Sequence, residues 1–130
     1  MGFDWIEFLT LAEALQSAPD SPGPPEAALR SAASRAYYAA FHRALNLACR
    51  EGFEPSFQAS DHKEIQNHFR HYNPSDQIRR KIARELERLW DQRRQADYDS
   101  VLHKTPASLA DHAIGMARRV LKNLDSLLDD

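Results

Sequence analysis

The chain is poor in the residues that staple or punctuate a fold: its 130 residues hold one cysteine, Cys49, and four glycines. A single thiol excludes a disulfide scaffold and a cysteine-rich zinc module. With no histidine in a nucleophile arrangement, Cys49 reads as a small buried or half-buried thiol. So few glycines exclude a turn-rich all-β chain, and no sustained period-two alternation is present. No apolar run approaches the ~20 residues of a membrane span, and Asp4, Glu7 and Glu13 spoil a signal-peptide reading. The expectation is a cytoplasmic protein with no membrane role. Phosphate loop, dinucleotide fingerprint and Gly-x-Ser-x-Gly elbow are all missing. What remains is 42% apolar residues, enough to bury a core without disulfides, at a length that suits one domain over residues 1–130.

Net charge is only −2, so bulk charge does not mark a nucleic-acid binder. Its distribution does more. Residues 27–50 carry Arg30, Arg35, Arg43 and Arg50 and no acid. Residues 79–94 carry Arg79, Arg80, Lys81, Arg84, Arg88, Arg93 and Arg94 against Glu85, Glu87 and Asp91. The first 26 residues hold only acids among their charges, and the tail ends in Asp129 and Asp130. Acidic ends therefore mask two basic helical segments, and a polyanion meets local potential, not net charge.

Helical spacing runs throughout. A first helix from about Asp4 to Ser17 places Trp5, Phe8, Leu9, Ala12 and Leu15 on one face. The proline-rich stretch 19–25 makes a loop, and Pro25 can open a second helix that runs to Arg50 and ends at Gly52. A third, short helix spans Asp61 to His71, with Asp61 and Glu64 at capping-box spacing. Asn73-Pro74-Ser75 breaks the chain before a fourth helix, Asp76 to Tyr98, with Ile78, Ile82, Leu86 and Leu89 in one seam. Thr105-Pro106 starts the last helix, apolar at Leu109, Ala113, Ala117, Val120, Leu121, Leu124 and Leu128. The predicted fold is all-α, an antiparallel bundle of four to five helices.

Some side chains do not fit a bland bundle. On the second helix Ala33, Ala36, Tyr37, Ala40, Phe41, Ala44 and Ala48 form a close-packing face. The opposite side collects Ser31, Arg35, Tyr38, His42 and Asn46. Arg35 and His42, seven apart, point the same way about 10 Å apart along the axis. Tyr38 between them, with Leu45 adjacent, suggests a second contact surface for a subunit or a ligand. On the fourth helix Arg93 falls inside the apolar seam, where a permanent charge needs a partner or a cleft. Asp97 at i+4 is the candidate partner, and Tyr98 follows with a ring and a hydroxyl. A metal site would draw on His62, Glu64, His68 and His71, but side chains on an exposed short helix read better as solvated. No metal or other cofactor is expected.

The run Ser34-Arg-Ala-Tyr-Tyr-Ala-Ala-Phe-His42, then His62 with Phe69 downstream, then Arg93 with Ala96-Asp97-Tyr98, resembles the HEPN family. The closer likeness is to its branch marked by a Ser-Arg-Ala-Tyr-Tyr-Ala helix and a later Arg-x-x-Ala-Asp-Tyr. The resemblance covers residues 26 to 125 and implies a bundle of four to five helices, commonly a homodimer. Many members are metal-independent ribonucleases, often toxins or defence effectors, and many are paired with a minimal nucleotidyltransferase. The ribonucleases carry an arginine and a histidine separated by four to six residues near the start of a late helix. Here Arg93 and Arg94 are followed by Asp97 and Tyr98, and His103 is too far along. Arg35 and His42 have the right separation on an earlier helix.

These readings lead to a HEPN toxin-like protein, an endoribonuclease using Arg35, His42 and Arg93, with Tyr38, His62, Asp97 and Tyr98 in substrate binding. The alternative is a non-catalytic nucleotide- or RNA-binding module, or a regulatory partner of a nucleotidyltransferase; an antitoxin partner is implied by the toxin reading. Whether Arg35, His42 and Arg93 share one cleft separates the two.

Overall fold

Residues 2–18 and 24–128 are described by the computed structural model of the protein. Five helices follow in chain order: α1 (Ile6–Ser17), α2 (Pro25–Arg50), α3 (Asp61–His71), α4 (Gln77–Tyr98) and α5 (Pro106–Leu128). No strand occurs among the described residues. Of the expected 19–25 loop, residues 19–23 lie outside them, as do Asp129 and Asp130.

The longest helix is also the central one. Pro25 opens α2, where its missing N–H has no intrahelical partner to lose. Gly52, at φ +102°, closes it. The Phe53 amide donates to the Ala48 carbonyl at 3.0 Å and the Gly52 amide to Cys49 at 3.1 Å, a Schellman closure that needs a left-handed residue. Between these ends Ala32, Ala33, Ala36, Ala40, Ala44 and Ala48 are wholly buried. Small side chains let neighbouring backbones come close, and α2 packs against every other helix. Ile65 and Phe69 of α3, Ile82, Leu86 and Leu89 of α4, and Leu109, Ile114 and Val120 of α5 complete the core.

The connections are tied by carboxylates. Glu51, just past α2, accepts from Arg79 through both oxygens and from His68 Nε2 at 2.9 Å. Burial alone would raise the Glu51 carboxyl, but these hydrogen bonds and charges hold it below its ordinary value. Asp76 caps α4 by accepting from the Ile78 and Arg79 amides.

Four expectations are corrected. Asp61 and Glu64 form no capping box: the Asp61 carboxylate turns back to Ser56 and to the amide of Phe57, a residue at φ 61°. Those hydrogen bonds, foremost that from the Ser56 hydroxyl, lower its pKa against the effect of burial. Ile78 is 40% exposed, because it lies in the first turn of α4, beyond the packed seam. Leu128 is exposed in the last turn of α5, where the helix outruns its neighbours. Cys49 is exposed, because it sits next to last in α2 and points off the core face.

Candidate functional site

The polar side of α2 is covered in part by α1. Trp5 and Phe8, spaced i and i+3, meet two α2 residues spaced i and i+7. The Trp5 ring lies on the His42 ring at 3.6 Å between centroids and 12° between planes. The Arg35 guanidinium lies 5.1 Å from the Phe8 ring and 5.8 Å from the Tyr38 ring. α1 thus supports both residues from one side, and the flat contacts restrict their rotamers.

Tyr38 is where the elements meet. Its ring is stacked towards His42 at 6.1 Å and edge-on to His62 of α3 at 6.4 Å. From α4, the Arg93 guanidinium sits 5.2 Å from the same ring and 5.3 Å from the ring of Tyr98. Asp97 Oδ2 lies 2.9 Å from Arg93 Nε and accepts from the Ser34 hydroxyl at 3.1 Å. The Arg93 N–H is not directed at that oxygen, so the pair is ionic, and the buried Nε is left without a hydrogen-bond acceptor. All seven residues singled out in the sequence (Arg35, Tyr38, His42, His62, Arg93, Asp97 and Tyr98) therefore belong to one connected cluster.

Within it the two arginines differ. Arg93 has a carboxylate partner, whereas Arg35 is held only by aromatic faces, with no carboxylate within ion-pair distance among the described residues. The two histidines differ as well. His62 Nδ1 is bonded to the Tyr37 hydroxyl, and its ring stacks towards Trp90 at 5.9 Å. Burial pushes the Tyr37 phenol far above its ordinary value, with Tyr38 adding to the rise and Arg93 opposing it. The phenol stays protonated and donates, so Nδ1 accepts. His42 has no hydrogen bond to either ring nitrogen from the described residues. Both imidazoles are held below their ordinary pKa, mainly because burial disfavours their charged forms. The neighbouring His62 adds to this for His42, and Arg93 for His62, where Asp61 pulls the other way. At neutral pH the cluster presents a fixed guanidinium, Arg35, and a neutral, unengaged imidazole, His42.

The residues named as a metal set do not converge. His62 faces Tyr37, His68 faces Glu51, and Glu64 and His71 are exposed. No group of three or more potential ligands occurs among the described residues. Trp5, Phe8, Ser34, Tyr37 and Trp90 belong to the site without having been singled out for it. Trp5, the N-cap of α1, and Phe8 in its first turn carried a signal, since rings at i and i+3 share one helix face.

The wider surface is basic on one side. Two open grooves follow the outward face of α4: one of about 430 Å³ lined by Arg80, Lys81 and Arg84, another of about 410 Å³ where Arg88, Arg94 and Lys104 stand beside Glu87 and Asp91. No described helix is long and apolar enough to cross a membrane. Comparison with protein-family models, with curated proteins and with solved structures gives no match.

Proposed function

We propose that the chain is a HEPN-type, toxin-like ribonuclease that cleaves RNA without a metal, with Arg35 and His42 as its working pair. The observation that carries this reading is the convergence of Arg35, His42 and Arg93 on the single ring of Tyr38. The reaction uses the RNA's own 2′-hydroxyl as nucleophile. His42, neutral at pH 7 and unengaged at its nitrogens, takes the 2′-hydroxyl proton. The 2′-oxygen attacks phosphorus, the bond to the 5′-oxygen breaks, and that oxygen leaves with a proton from solvent. Arg35, charged and without a carboxylate, lies against the non-bridging oxygens and stabilises the charge that builds there. Tyr38 orients both residues, and Arg93, kept in place by Asp97, adds positive potential behind the ring. The family resemblance extends the reading to a homodimer, with a nucleotidyltransferase or an antitoxin as a further partner.

One observation favours the second reading, a nucleotide- or RNA-binding module without catalysis: Asp97 compensates the charge of Arg93. The same experiment separates the two. Purified protein incubated with labelled RNA should cleave it in the presence of EDTA. His42→Ala should lower the rate by ~10²-fold or more, as loss of a general base requires, and Arg35→Ala comparably, while RNA affinity changes little. Intact RNA throughout, with binding retained, selects the module.

A further inference from the structure

We propose that the outward face of α4 is a track for the phosphate backbone of single-stranded RNA, separate from the Tyr38 cluster. The choice of RNA rests on the functional reading above; the track itself rests on charge. Arg80, Arg84 and Arg88 stand at i, i+4 and i+8, so they share one face about 6 Å apart along the axis. Lys81 and Arg94 flank them, and Lys104 joins Arg88 and Arg94 in the second groove. From Arg80 to Arg94 the row is about 21 Å long.

What separates this row from an ordinary solvated helix face is the fate of its acids. Glu87 is taken by Arg70 of α3 at 2.8 Å, and Glu85 is buried and bound to Arg119 of α5. Asp91 accepts from Gln95. Asp76 is spent on the cap of α4. None of Arg80, Lys81, Arg84, Arg88 and Arg94 forms an ion pair among the described residues, although the chain as a whole is acidic. Glu85 and Glu87 are neutralised by arginines of other helices, while Asp91, held by the neutral Gln95, keeps its charge; Arg80, Lys81, Arg84, Arg88 and Arg94 outnumber it, which leaves the row net positive.

The row also lacks what a protein partner uses. Interfaces between proteins centre on apolar and aromatic anchors. Here the exposed apolar and aromatic side chains of α4, Ile78 and Tyr98, lie at its two ends, and between them Trp90 is already engaged by His62 and by Arg94, 5.2 Å from its ring. Regular cationic spacing with no anchor between its ends suits a repeating anion read without regard to sequence.

The test is fluorescence anisotropy of the full chain with a fluorescein-labelled 20-nucleotide oligouridine across a salt series. Binding should weaken linearly in log–log form. Arg80→Ala/Arg84→Ala/Arg88→Ala should raise Kd by 10-fold or more at low salt and flatten the slope by about 2, since each phosphate contact on a single strand contributes about 0.7. The corresponding triple lysine variant should keep both affinity and slope, which separates lost charge from lost packing. Unchanged affinity and slope in the triple alanine variant overturn the track, as does failure of the wild type to bind the oligonucleotide. A polyglutamate of matched charge that competes better than the RNA also overturns it, in favour of an acidic protein. If the triple alanine variant loses binding while the wild type leaves every RNA intact, the track stands and the ribonuclease reading fails.

Discussion

Replacing Asp97 tests how the Tyr38 cluster is held together. The carboxylate lies 2.9 Å from Arg93 Nε and accepts the hydroxyl of Ser34 at 3.1 Å. The Arg93 and Asp97 side chains are 16% and 29% exposed, and Ser34 is 2% exposed. Exposed pairs are worth about 0–1 kcal/mol, while breaking a buried pair costs about 3–5 kcal/mol because it strands a charge. This pair lies between the limits, and partial solvent access favours the lower half, about 1 to 1.5 kcal/mol. The buried Ser34 hydroxyl loses its acceptor as well, at about 1 kcal/mol. Asp97→Ala should therefore destabilise by about 2 kcal/mol, which lowers Tm by roughly 8 °C in a domain of this size. Asp97→Asn keeps an acceptor for Ser34 and should cost about half as much. Urea unfolding followed by far-UV circular dichroism measures both. Ser34→Ala should add nothing in the Asp97→Ala background, since the two share one hydrogen bond. A change below about 0.5 kcal/mol for Asp97→Ala, or full additivity with Ser34→Ala, would refute the reasoning.

Two further outcomes follow from burial. Ala40 is wholly buried where α2 meets its neighbours, so Ala40→Leu should overpack the bundle and cost roughly 1–3 kcal/mol by thermal or urea melts; an unchanged melt would place Ala40 away from a close contact. His42 and His62 are both held below their ordinary pKa, so the unfolded chain binds more protons than the folded one between those lowered values and about 6.5. Stability should rise with pH through that window and fall as pH drops from 7.5 towards 5.5. His42→Gln/His62→Gln should flatten the slope, and an equally steep slope in that variant would assign the dependence to other groups.

The bundle was legible because helix periodicity records burial directly. The alanines of α2 and the Ile82–Leu86–Leu89 seam both recur at helical spacing, and each is buried. Legibility failed at helix ends, where periodicity continues but neighbours do not: Ile78 lies in the first turn of its helix and Leu128 and Cys49 in the last turn of theirs, and all are exposed. Asp61 was misread for another reason. A capping-box spacing cannot say whether a carboxylate faces its own helix or the preceding loop, and here three donors from Ser56 and Phe57 capture it. The pairing of Arg93 with Asp97 was readable because both partners lie on one helix. The seating of His42 on Trp5 was not, because it depends on the register between α1 and α2.

That seating makes the cluster depend on the lightest-anchored helix. Ala12 is the buried residue of α1; the rest of its hold includes half-buried Phe8, Leu9 and Leu15, and Glu13 and Gln16, which reach Arg118 and Asp111 of α5. Segments with little buried apolar surface open at lower free energy than the whole domain. The population with Arg35 and His42 seated is then set by the docking equilibrium of α1, while α2 to α5 stay folded. Amide exchange in α1 should run ahead of exchange in α2. A fusion that strains the first helix would unseat Arg35 and His42 and leave the melting curve of the remaining bundle nearly intact.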